Sequence, residues 1–131
     1  MFENKNKEDV AIETVIKNYF QGYLNADPET LLKAFHSGAR LFCVGENGIL
    51  ETTEMSDWLK NLADRRAKGD IRQADARIDS IEVSDDAAVV KVTLVFNAFQ
   101  FTDYLSLLRL GSAWKIVNKI YTVKHFEQKE T

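Results

Sequence analysis

The chain has 131 residues, 45% hydrophobic and 28% charged, enough for one domain with its own core and too few for two. A total of 17 Lys and Arg against 20 Asp and Glu leaves a net charge of −3, which excludes a broad basic field for nucleic acid or an anionic membrane surface. One cysteine, Cys43, excludes an internal disulfide framework or a thiolate metal cluster, and no apolar run approaches the roughly 18–20 residues of a membrane helix.

The opening MFENKNKEDV has no hydrophobic signal region, so a soluble, cytoplasmic domain is expected. The polar ends, residues 1–7 and 127–131, are expected to be flexible around a single domain over 8–126. Ile12, Val15, Ile16, Tyr19 and Tyr23 share one face of a helix predicted from about Glu8 to Leu24. Asn25-Ala26-Asp27-Pro28 resets the pattern: Asp27 is placed to cap a second helix and Pro28 to occupy its first turn. Leu31, Leu32 and Phe35 supply that helix's buried side, and His36-Ser37-Gly38 is expected to end it.

Ala39 to Val44 reads as a strand, and Asn47-Gly48 as a two-residue turn into Ile49-Leu50. Thr53 is a predicted cap for a third helix from about Glu54, with Met55, Trp58, Leu59 and Leu62 on one face and Gly69 as its stop. Ile71–Val83, Ala87–Phe96, Phe101–Leu110 and Trp114–Phe126 then form strands joined by short turns, hence an antiparallel meander. Three helices with a hairpin followed by four strands make an α+β plan in which the helices cover one face of a curved sheet.

The run Tyr19…Gly22-Tyr23…Asp27…Leu31…Phe35-His36…Ala39, with FTDYLSLL from Phe101 and WKIVNKIY from Trp114, resembles the putative lumazine-binding family of the nuclear transport factor 2-like superfamily, which includes SnoaL-like and ketosteroid-isomerase-like proteins. The resemblance spans roughly Asp9 to Lys124. It implies a cone-shaped fold, with three N-terminal helices packed on a strongly curved antiparallel sheet and a pocket at the wide end. The superfamily includes isomerases, dehydratases, cyclases and non-enzymatic dimer modules, so the resemblance alone does not select a function.

Asp103 shares a strand face with Phe101, Leu105 and Leu107. A carboxylate there either points into a pocket as an acid or base, or is a structural aspartate bonded to backbone or paired with a lysine. His36 is read either as a proton shuttle at a pocket rim or as a helix-terminal histidine meeting the last carbonyls. Tyr19 and Tyr23 lie one helical turn apart: both phenols can face a cavity and polarise a carbonyl, or pack as core aromatics. Asn118 has the parity of Trp114, Ile116 and Ile120, so it either binds a ligand carbonyl and orients Asp103 or satisfies a local bulge. Phe35, Trp58 and Phe96 are candidate pocket walls or ordinary core.

Lys60, Arg65, Arg66, Lys68 and Arg72 gather at the end of the third helix and read as a solvated helix end rather than a nucleic-acid patch. There is no HExxH, glycine-rich phosphate loop, nucleophile elbow or Cys–His pairing, so neither cofactor nor metal is expected. Val89, Val95, Val117, Tyr121 and Val123 have the opposite parity to Val90, Val92, Leu94, Ile116 and Ile120, giving the sheet two apolar faces. The helices cover one; a second copy of the chain is expected on the other. Two functions remain open: a small-molecule pocket with cofactor-free acid/base chemistry of the isomerase or dehydratase type on an apolar carbonyl compound, or a non-catalytic homodimeric sensing or interaction module.

Overall fold

In the computed structural model, which describes residues 6–127, the first amphipathic segment forms helix α1, Lys7–Leu24. Asn6 caps it by accepting from the Asp9 N–H, and Glu8 and Asp9 in its first turn suit the positive end of the helix dipole. The expected flexible ends at residues 1–5 and 128–131 lie outside the described residues. Helix α2, Pro28–Ala34, is capped by Asp27 as its sequence predicts. Gly22 lets α1 and α2 touch: a Cβ there would stand 2.6 Å from the Leu31 backbone nitrogen.

The second helix ends earlier than its apolar spacing suggests. Phe35 is already extended and begins strand β1, Phe35–Val44, so His36-Ser37-Gly38 starts a strand instead of closing a helix. The Asn47-Gly48 turn forms, but within a five-residue connection from Gly45 to Ile49, where Asn47 and Gly48 both take positive φ (62° and 74°). Strand β2, Leu50–Glu54, contains Thr53, so the predicted cap is taken by Glu54, without a side-chain cap bond, and helix α3 runs Met55–Ala67. The meander follows as β3 (Asp75–Ser84), β4 (Ala87–Val95), β5 (Phe99–Leu110) and β6 (Ala113–His125).

All six strands join in one curved sheet of order β2-β1-β6-β5-β4-β3. Neighbours are antiparallel except β1 and β6, which run parallel. That exception to the expected antiparallel sheet arises because α3 carries the chain from the first hairpin to the far edge, and the meander returns β6 to β1. The helices lie in the concave side. Ile12, Ile16 and Tyr19 of α1, Leu31 of α2 and Met55, Trp58 and Leu62 of α3 pack on Val90, Val92, Leu105, Leu107 and Ile116 of the sheet. At the start of α1, Glu8 accepts from the Trp114 indole N–H and from Arg109, tying the helix to the β5–β6 hairpin. Among the described residues no helix is long and apolar enough to cross a membrane.

Candidate functional site

Strand alternation places Asp103 on the concave face, as its neighbours predict, opposite Val92 on β4 and Tyr121 on β6. The same alternation fails on β6. Between the pairs Ser106–Asn118 and Leu107–Ile116 the register slips, leaving Val117 as an extra residue. One inserted residue exchanges the two faces of everything beyond it. Trp114 and Ile116 face inward before the bulge; Lys119 and Tyr121 do so after it, while Ile120 turns outward and is 49% exposed. Asn118 therefore pairs with Ser106 and Arg40 on the convex side and does not share a face with Asp103, contrary to its simple parity.

Tyr19, Asp103 and Lys119 form one buried chain of hydrogen bonds. Lys119 Nζ donates to the Tyr19 hydroxyl at 2.8 Å, and that hydroxyl donates to Asp103 Oδ2. Lys119 Nζ is also 3.8 Å from Oδ2, a buried ion pair in which Asp103 is 0% and Lys119 6% exposed. Asp103 Oδ1 is buried and has no hydrogen-bond partner among the described residues. Four rings surround the amine, with centroids 4.8 Å (Trp58), 4.9 Å (Tyr121), 5.0 Å (Tyr19) and 5.7 Å (Tyr23) from Nζ. Phe35 meets Tyr19 and Trp58 edge-on at 5.3 and 5.1 Å, closing the box from behind.

Burial dominates the electrostatics. It pushes the Lys119 amine below its ordinary value, against the opposing pull of Asp103. It raises the Tyr19 phenol well above 10, helped by the Asp103 charge, so Tyr19 stays protonated as the donor to Oδ2. Burial also raises Tyr121, which lies beside Cys43. Tyr23 is held differently: Arg72 Nη1 donates to its hydroxyl at 3.0 Å, Arg65 Nη1 to its carbonyl at 2.9 Å, and the Arg65 guanidinium lies 5.2 Å from its ring centre. Asp70 bridges both arginines. The expected solvated basic end is thus partly a clamp on α1, with Arg66 paired to Asp27 and Glu29.

The remaining sequence candidates lie apart from this centre. His36 is exposed at the start of β1, one residue past the Phe35–Ile116 pair, and its Nδ1 accepts from the Gly38 N–H at 2.9 Å. It stabilises the bulged strand entry rather than the last helical carbonyls. Phe96 stacks on Phe99 at 4.8 Å at the strand ends and is half-buried. Sequence reasoning missed Lys119, Tyr121 and the two arginines on Tyr23. The available signal was the adjacent apolar pairs Ile116-Val117 and Ile120-Tyr121, which no unbroken alternation accommodates.

A groove of about 450 Å³ opens beside the box, lined by Cys43, Gly45, Glu46, Tyr121 and His125 among others. Tyr121 belongs to both groove and box. Among the described residues no group of three or more His, Cys, Asp or Glu side chains is placed to hold a metal ion.

A curved sheet wrapped around three helices, with a polar centre inside the cone, is the architecture of nuclear transport factor 2-like proteins. A protein of this type from Shewanella baltica OS155, of unknown function, superposes with a TM-score of 0.79 at 26% identity over 92% of this chain and 98% of its own. Another from Silicibacter pomeroyi DSS-3 gives 0.79 at 20% identity, covering 93% and 100%. A ketosteroid isomerase-like protein from Erwinia carotovora atroseptica gives 0.64 at 13%, covering 95% and 100%, a likeness of fold alone. Within this superfamily, residues 7–122 match the family described as putative lumazine-binding, and the chain belongs to it. No curated protein matches the sequence.

Proposed function

We propose that this domain binds a small, planar, carbonyl-containing organic molecule at Tyr19, Asp103 and Lys119, with Tyr23, Phe35, Trp58 and Tyr121 as the surrounding walls. The observation that carries this reading is Asp103 Oδ1, a buried carboxylate oxygen with no hydrogen-bond partner among the described residues. Such an atom is costly to leave unpaired, and a ligand N–H or O–H would satisfy it. Lys119 uses one N–H on Tyr19 and has further donors for a ligand carbonyl. A pteridinedione such as lumazine carries both groups on one edge, in keeping with the family description.

The chemistry we favour at this centre is proton transfer, with Asp103 as acid or base and Tyr19 holding its second oxygen. Isomerisation or dehydration would need no further cofactor. Phe96 belongs to the rim in this reading, while His36 and Asn118 take no part. Native mass spectrometry of the purified protein, followed by titration with lumazine while monitoring tryptophan fluorescence in a Trp114→Phe background so that Trp58 is the reporter, tests the binding. Saturable quenching that Asp103→Asn weakens supports it; no bound small molecule and no response in either variant overturns it.

A homodimer through the convex sheet face is the second part of the proposal. Val89, Tyr104, Leu108 and Ile120 are each at least 39% exposed there. Phe42, Val44, Leu50, Tyr104 and Ile120 frame an apolar furrow of about 260 Å³ on the same side. An apolar face of this kind favours a covering partner, and a second copy is the economical one.

A further inference from the structure

We propose that Lys119 is a carbonyl-reactive amine that forms an imine with a small aldehyde or ketone. The proposal rests on the reading of Tyr19, Asp103 and Lys119 as a ligand site and extends it to a covalent step. Three features of the geometry converge on the amine. Its environment is four aromatic rings, and a lysine withdrawn from water in such a place becomes a nucleophile more readily than a surface lysine. Its hydrogen bond runs to Tyr19 and onward to Asp103, a two-step path along which the ammonium proton can leave. Finally, Tyr121, whose ring centre is 4.9 Å from Nζ, also lines the groove beside Cys43 and His125, so a small solute in that groove is one side chain away.

Each part has its task in the step. The ammonium passes a proton to the Tyr19 oxygen as Tyr19 passes its own to Asp103 Oδ2, converting a buried ion pair into a neutral amine and a neutral acid. At neither stage is an isolated charge left in the dry site. The amine lone pair adds to the carbonyl carbon, the carbonyl oxygen takes the nitrogen's proton, and a carbinolamine results. Asp103 then returns its proton to that hydroxyl, the C–O bond breaks, and water leaves. The product is a protonated imine on Lys119 beside the regenerated carboxylate. Atoms and charge balance: ammonium plus carbonyl compound gives iminium plus water. The unpartnered Oδ1 is the natural acceptor for the carbinolamine hydroxyl.

The test uses propionaldehyde with cyanoborohydride at neutral pH, which fixes any imine as a stable propyl group, followed by peptide mass mapping over time. Lys60 and Lys68, both exposed on or just after α3, are internal references. Lys119 is expected to label severalfold faster than either, since an amine withdrawn from water among four rings favours its neutral, nucleophilic form. Tyr19→Phe breaks the proton path and should remove that excess while Lys60 labels as before; Lys119→Arg should abolish the adduct. Labelling of Lys119 no faster than Lys60 overturns the proposal, as does an excess unchanged in Tyr19→Phe. If Tyr19→Phe does not fold, the wild-type ratio decides alone. Lumazine binding with an inert Lys119 would leave the ligand site standing and remove the imine. Rapid labelling in a protein that binds no lumazine and carries no small molecule would do the reverse.

Discussion

Asp103 and Lys119 have been taken out of water together, and each is tolerable there because of the other. Lys119→Met strands the carboxylate and is expected to lower unfolding free energy by about 3 kcal/mol at neutral pH, read from urea titration. Adding Asp103→Leu should recover part of that loss, because an apolar pair has no charge to desolvate; a double variant no more stable than Lys119→Met would refute the coupling. Tyr19→Phe removes the group between them and should cost about 1–3 kcal/mol. The Tyr19 phenol is raised on folding, so its contribution is present below pH 10 and is lost as the unfolded chain ionises above that value. The gap between wild type and Tyr19→Phe should therefore narrow as the titrations are moved above pH 10.

At the scale of elements, the entry of α2 controls how the helical layer meets the sheet. The Thr30 hydroxyl, with Arg66 adding its charge, holds the Asp27 carboxyl down to about 2, from 3.8 when unfolded. Its stabilisation is complete above the unfolded value and is lost as pH falls toward 2. Asp27→Ala should cost about 1 kcal/mol at pH 7, with the difference shrinking between pH 4 and 2. A constant difference across that window would show that the cap acts by shape alone. Gly22→Ala drives a methyl into the Leu31 backbone; overpacking of this kind costs about 1–3 kcal/mol, and a thermal melt unchanged from wild type would count against the close α1–α2 approach.

For the whole molecule, the proposed dimer through the convex sheet face is tested by its mass. Sedimentation of the wild-type chain is expected to give twice the 15.0 kDa of one copy, and Ile120→Glu, a charge at the centre of the exposed face, a monomer. Ile120 is 49% exposed and lies outside the core that Tyr19, Trp58 and Leu62 fill on the concave face, so the substitution should leave the melting transition of the monomer largely intact. A wild-type monomer would remove the dimer proposal without touching the buried centre.

The linear pattern determined a good deal by itself. Helical spacing set α1 and its inward Tyr19 and Tyr23, Asp27-Pro28 marked the start of α2, and period-two alternation on β5 put Asp103 inside. These are short-range consequences of backbone geometry, in which each residue's direction follows from its neighbours. What only the tertiary structure decided depends on distant partners. Phe35 became strand because Ile116 of β6 was there to pair with it, and Arg65 and Arg72 became a clamp because Tyr23 lay within reach. Above all, Val117 is an extra residue only relative to β5; the adjacent apolar pairs of β6 signal a break in alternation without saying which residue is the extra one. That one slip turned Asn118 and Ile120 outward and brought Lys119 to Tyr19 and Asp103, because side-chain direction beyond a bulge is set by the partner strand's register and not by the count along the chain.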